Sequence, residues 1–205
     1  MSSHYSGLTE QPRAGDDGLR LMAAADSETG GEPLHRRKVR SFARRQSRMS
    51  DIHRQALSTH WPQFGVEPSA AEQLNSAALF GRNAPLYIEI GFGNGDTLLH
   101  LAEQQPQYNF IGIEVHRPGL GRVVYELGER NLSNVRVVCA DAVEILRDHI
   151  TDNALAGVYI FFPDPWPKRK HHKRRLINSE FARLLAAKLA PGGVIHMATD
   201  WEHYA

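Results

Sequence analysis

Chemistry in this chain concentrates at a few acidic positions, each near the end of an apolar stretch. The run Glu89-Ile-Gly91-Phe-Gly93-Asn-Gly95 follows Leu86-Tyr-Ile and carries glycines at alternate positions. Glycines so placed let a backbone turn tightly and approach a ligand at the start of a helix. The dinucleotide fingerprint Gly-x-Gly-x-x-Gly is related but different, because here the third glycine comes one residue early. Glu114 closes the next apolar stretch, where a carboxylate accepts hydrogen bonds from both hydroxyls of a ribose. NAD and S-adenosylmethionine both offer that ribose, so Glu114 does not choose between them; a helix cap or surface acid is its other reading. Glu89 lies in a strand expected to be buried, where an unpaired carboxylate costs several kcal/mol and needs a cationic or amide partner. The ammonium of a methionine moiety suits it, and a pyrophosphate would be repelled. Asp141, ending a third apolar stretch, can accept from an adenine amino group. An internal ion pair is the alternative for both Glu89 and Asp141.

A second constellation is Phe161-Phe162-Pro163-Asp164-Pro165-Trp166-Pro167. Alternating prolines fix the backbone, hold Asp164 extended and cannot continue a strand. A rigid loop with one carboxylate and an adjacent indole is suited to holding a planar ring; Trp166 capping the core is the alternative. Six bases in eight residues follow, Lys168-Arg-Lys170-His171-His172-Lys173-Arg174-Arg175. Such a run is often a solvated face or a localisation signal. Attached to this loop, it reads as contact with a phosphate backbone, held by charge and counterion release.

These positions need a scaffold that brings strand ends together. Apolar strands are expected at 86–90, 109–114, 135–139, 157–162 and 194–199. Helices alternate with them at 96–104, 118–130, 142–150 and 179–189, with Pro118 in the first turn of the second and Ser179 capping the last. A short helix covers 50–60, with Ser50 or Asp51 as its cap and Trp61-Pro62 as its stop. Residues 62–85 read mostly as connection. The alternation implies an α/β, Rossmann-like, doubly wound and mostly parallel sheet with helices on both faces. Right-handed crossovers put every strand's C-terminal end on one edge, where such sheets bind ligands.

The 205 residues, 41% of them hydrophobic, suffice for one domain and some extra. No apolar run reaches the length of a membrane span, and Met1–Glu10 lacks the order of a secretory signal. The only cysteine, Cys139, reads as a buried free thiol rather than a nucleophile, consistent with a reducing cytoplasm. The net charge of +1 conceals an asymmetry. Residues 1–35 hold six acids against two bases and read as a disordered acidic tail, whereas 36–48 hold seven bases and no acid. The expected layout is that tail, then a basic arm and short helix over 36–60, then one domain over 61–205. Two basic clusters suggest a polyanionic partner.

Glu-Ile-Gly-Phe-Gly-Asn-Gly (89–95), Gly-Ile-Glu-Val-His (112–116), Phe-Phe-Pro-Asp-Pro-Trp-Pro-Lys (161–168) with the Lys-Arg-Arg after it, and Ala-Thr-Asp-Trp (198–201) together resemble the bacterial tRNA (guanine-N7)-methyltransferase family. The likeness runs from about Ser41 to the end, and the Phe-Phe-Pro-Asp-Pro-Trp segment discriminates, because many methyltransferases share the glycine loop. It implies a Rossmann-like enzyme that uses S-adenosylmethionine on a variable-loop guanine of tRNA. The expected setting is cytoplasmic, as a monomer or weak homodimer, with no metal and no membrane. By position the likeness implies cofactor contacts at Glu89, Glu114, Asp141 and Asp164, beside Gly91, Gly93 and Gly95 of the loop. It further implies a catalytic role for Asp164, guanine-side contacts at Lys168 and Asp200, and RNA contacts across 170–175. The family continues with a further helix, two strands and a Thr-x-Phe-Glu segment. This chain is therefore expected to be truncated after the fifth strand, poorly active, with an exposed outer edge along 194–199. A nicotinamide-dependent oxidoreductase, a non-catalytic RNA-binding module and a small-molecule methyltransferase are the competing readings.

Overall fold

The computed structural model describes residues 40–42, 48–70 and 72–204. The expected tail at 1–35 and most of the basic arm lie outside them. Helix α1 (Asp51–Phe64) starts where the Ser50 side chain accepts from the His53 amide. It does not stop at Trp61-Pro62, as the sequence suggests, but carries Pro62 inside its last turn. Phe64 is buried, and the Gly65 amide donates to the Trp61 carbonyl, so packing and that bond outweigh the break. Two short elements follow in what the sequence presents as connection. Strand β1 (Gly65–Val66) pairs with the sheet, and helix α2 (Ser76–Phe80) begins at Asn75, whose side chain accepts from Ala78.

From there the chain alternates as expected: β2 (Leu86–Ile90), α3 (Asp96–Gln104), β3 (Asn109–Ile113), α4 (Arg117–Glu129), β4 (Val135–Val138), α5 (Ala142–His149), β5 (Leu155–Phe161), α6 (Ser179–Lys188) and β6 (Leu189–Ala198). The six strands lie in the order β1-β4-β3-β2-β5-β6, and each neighbouring pair runs parallel. The sheet therefore has one more strand than the five expected. Strand order reverses between β2 and β5, which makes their C-terminal ends the switch point where open α/β sheets leave a crevice.

Alternation along the strands builds an apolar cluster on each face. Ile88, Ile111 and Val158 pack with Ile145 and Leu146 of α5 and with Phe181 and Leu185 of α6. Phe110, Val135 and Val137 pack with Leu98 of α3, Val123 and Leu127 of α4, and Phe64 of α1. Cys139, expected to be buried, is half-buried and packs against this second cluster. Strand β6 joins β5 at Leu189 and again from Val194, skipping the Pro-Gly-Gly turn, in which Gly192 has φ +83°. Val194 and Met197 on it remain exposed. Among the described residues no helix is long and apolar enough to cross a membrane.

Asn109 ties the edge of the sheet remote from the crevice. It is fully buried, accepts from Arg82 at 2.8 Å and donates to the Ser76 hydroxyl at 3.2 Å. Asn109→Ala should destabilise the protein by about 1–3 kcal/mol in equilibrium urea unfolding, because Arg82 and Ser76 lose a buried partner. An unchanged midpoint would remove this network from the fold's support.

Candidate active site

The crevice at the ends of β2, β3 and β5 holds a cleft of about 390 Å³, a size suited to a small molecule. Its walls include Gly91, Gly93, Glu114, His116, Phe162 and Asp164, with Ser41 and Phe42 at one side. Gly91, Gly93 and Gly95 all take positive φ, between +57° and +80°, which glycine adopts without strain. Gly95 also leads into α3 where a Cβ would sit 2.0 Å from a Val123 methyl. Across the loop, a Cβ on Gly119 would sit 2.0 Å from the Gly93 carbonyl oxygen, so α4 docks against the loop only through glycine.

Glu114 holds the loop in place. Its carboxylate accepts from the amides of Gly93 at 2.9 Å, Val115 at 2.7 Å and His116 at 2.9 Å. Glu89 stands one residue before the cleft-lining Ile90, between Gly112 on β3 and Tyr159 on β5. It is 3% exposed, and its Oε2 is a buried side-chain oxygen with no hydrogen-bond partner. Burial, and secondarily the charge of Glu114, push its carboxyl up to about 7. The alternative reading, an internal ion pair for Glu89 or for Asp141, is not among the ion pairs of the described residues. Asp141 instead caps α5, accepting from the Val143 amide at 2.9 Å, between the cleft-lining Ala140 and Ala142.

The expected positions thus divide. The cleft gathers Gly91, Gly93, Glu114 and Asp164 directly, while Glu89, Gly95 and Asp141 adjoin it along the chain. Lys168, Lys170, His172, Lys173 and Arg174 are exposed on or beside a 3-10 helix over Arg169–Arg174, directly after the Pro-Asp-Pro loop. His171 and Arg175 are half-buried, and Asp200 is exposed beyond β6. Arg175 braces the loop from within: it donates to the carbonyls of Pro165 and His203, both at 2.9 Å, and lies 4.7 Å from the Tyr204 ring.

Trp166 differs from the ring-holding role suggested by its position. Its indole N–H donates to the Ser41 carbonyl at 2.9 Å, His171 meets it edge-on at 5.7 Å, and Arg174 lies 4.9 Å over its ring. It therefore fastens residues 40–42 and the basic turn to the loop and does not line the cleft. Sequence reasoning missed Ser41, Phe42 and His116 in the wall, and it gave Phe162 no role. Only the start of the family likeness near Ser41 hinted at the first two.

Without ligand, the Glu89 carboxyl has a sign that can be tested. A carboxyl raised in the folded state supports the fold fully below its unfolded value near 4.5, and that support is lost as pH rises through about 7. The group thus accounts for a loss of about 3 kcal/mol across that window. Glu89→Gln should remove this part of the decline when urea unfolding is followed from about pH 5 to pH 8. Identical pH profiles for the two proteins would contradict a buried, unpaired carboxylate.

The family model that matches residues 83–205 is described as "Putative methyltransferase". The chain is 51% identical over 182 residues to the tRNA (guanine-N(7)-)-methyltransferase of Alkalilimnicola ehrlichii, covering 88% of this chain and 75% of that one. It is 53% identical over 169 residues to the enzyme of the same name from Methylococcus capsulatus, covering 82% and 72%. With the Cronobacter sakazakii protein of that name it shares 51% over 184 residues, covering 90% and 76%. Identity of this extent over more than four fifths of its length makes the chain a member of the tRNA (guanine-N(7)-)-methyltransferase family.

Proposed function

We propose that the chain transfers a methyl group from S-adenosylmethionine to N7 of a guanine in tRNA, in the cytoplasm. The observation that carries the cofactor is Glu89. A buried acceptor oxygen without a partner calls for a hydrogen-bond donor, and the methionine ammonium is a charged one. Glu114 has acceptor capacity beyond its three amide donors for a ribose hydroxyl. Asp141, between two cleft-lining alanines, is the residue to hold the adenine amino group. The residues present therefore fit the donor. When bound, it supplies an electrophilic methyl group on a positively charged sulfur.

Guanine N7 carries an in-plane lone pair and no proton, so its methylation needs no general base. What the chain must do is orient the purine, keep water out and stabilise positive charge. Alignment of this kind supplies several kcal/mol of a barrier. Asp164, in the cleft wall, is the orienting group, accepting from guanine N1–H and N2–H. Its charge, with that of Glu114, favours a cationic reacting pair at every stage of transfer. Asp200 and Lys168 stand on the substrate side in this reading. The exposed Lys170, His172, Lys173 and Arg174 follow the loop closely enough to dock the phosphates around the target guanine.

Undermethylated tRNA incubated with the protein and S-adenosylmethionine should yield 7-methylguanosine by nucleoside mass spectrometry. Asp164→Asn should lower single-turnover transfer by about a hundredfold or more while S-adenosylhomocysteine still binds. A near-normal rate would end the role given to Asp164, and no methylated guanine with the parent chain would end the reading as a whole. Replacing Lys170, Lys173 and Arg174 by Ala should lessen the slope of log affinity against log salt by about 1 for each phosphate no longer neutralised. An unaltered slope would move tRNA docking elsewhere.

A further inference from the structure

The proposed reaction leaves the face of the target purine without a partner, and it leaves Phe162 without a purpose. Phe162 is 64% exposed, more than any other large hydrophobic side chain among the described residues. It lines the cleft two positions before Asp164. Its backbone takes φ +51°, a left-handed conformation that a bulky side chain adopts only under constraint. The constraint is visible, because its amide donates to the Ala198 carbonyl at 2.9 Å, tying the start of the loop to the end of β6. Its neighbour Phe161 behaves differently, being half-buried against the apolar cluster and 5.9 Å from Tyr159. For folding alone, position 162 would be better served by glycine, which takes this φ freely and exposes no apolar surface.

We propose that the Phe162 ring is the platform on which the target guanine stacks, with Asp164 reading its edge; this rests on the function proposed above. Every base offers a π-face, and stacking on an aromatic side chain strengthens binding of an unpaired base about fivefold to a hundredfold. Phe162 has a second effect specific to this reaction. Methylation at N7 leaves the purine ring cationic, and the face of a benzene ring attracts a cation. The interaction therefore grows as the methyl arrives, so Phe162 acts on the transfer rate as well as on tRNA binding. Trp166, fastened to Ser41 and flanked by His171 and Arg174, is not placed for this task.

Four variants test the platform: Phe162→Gly, Phe162→Leu, Phe162→Tyr and Phe162→Trp. Each is measured for melting temperature, S-adenosylhomocysteine affinity, and single-turnover methylation of tRNA. Phe162→Gly should keep or raise the melting temperature, hold cofactor affinity within about twofold, and lose tenfold or more in transfer. Phe162→Leu retains apolar bulk without a π-face and should lose activity similarly, whereas Phe162→Tyr and Phe162→Trp should keep most of it. Full activity in Phe162→Leu overturns the proposal, and so does a fall in cofactor affinity that accounts for the lost transfer. Failure here is distinct from failure of the underlying reading. If the parent chain forms 7-methylguanosine and the leucine variant matches it, only the platform falls; if the parent forms none, the reaction itself is misassigned.

Discussion

Glu89 keeps a carboxylate, one oxygen of it unpartnered, at a depth that water does not reach, and the surrounding sheet prevents it from moving out. It stands on β2, paired along its length with β3 on one side and β5 on the other, so the strand cannot shift without breaking two ladders. Burial favours the neutral form of that side chain over the charged one and so raises it to about 7. A cationic ligand reverses the balance, because an ion pair with good geometry offsets the desolvation that an isolated charge cannot. The residue weakens the fold where it stands, and in the function proposed above that local loss of stability serves recognition of a cationic group.

The glycine loop and Glu114 make that place accessible. One carboxylate oxygen accepts from the Gly93 amide of the loop and the other from the Val115 and His116 amides, so Glu114 ties the loop to the chain leaving β3. The close approach of Gly119 to the Gly93 carbonyl then brings α4 against the loop from outside. Neither contact involves the ligand, yet both decide whether Gly91 and Gly93 expose backbone to the cleft. Glu114 thus has a structural duty in addition to any ribose contact, and the two are compatible because a carboxylate accepts more bonds than three.

Much of this was legible because the signals are local. The ends of β2, α3, β3 and β4 fall at or within a residue of where apolar periodicity and glycine put them, and the acids at strand ends follow from parallel topology. The misses have physical causes. β1 has two residues and α2 five, too few to show a period. Pro62 carries a strong stop signal that the burial of Phe64 overrides. The bond from Trp166 to Ser41 joins positions 125 apart in sequence, and nothing local distinguishes an indole that faces a base from one that fastens a distant carbonyl. Likewise the amide partners of Glu114 depend on how the loop returns over β3, which no spacing rule contains.

The Pro-Asp-Pro loop shows how the chain meets a reaction that asks for placement and not for proton transfer. Phe162 and Trp166, which flank it, both adopt left-handed backbone, φ +51° and +43°, each at a cost of about 1–3 kcal/mol. Loops hold such conformations only when the surroundings over-determine them. Here the Ala198 carbonyl takes the Phe162 amide, Ser41 takes the Trp166 indole, and Arg175 takes the Pro165 carbonyl while reaching His203. Three separate parts of the fold, the residues before α1, the end of β6 and the last residue of the basic run, thus converge on seven residues around Asp164. In the proposed reaction, which has no base to tune, rigidity at this carboxylate is a route to rate, since a bound ring misplaced by an ångström loses most of its advantage. The basic turn grows directly out of the same braced segment. In the proposed docking, phosphates bound at that turn set the distance of their guanine from the cleft, so docking and alignment become one mechanical problem met by one stiff loop.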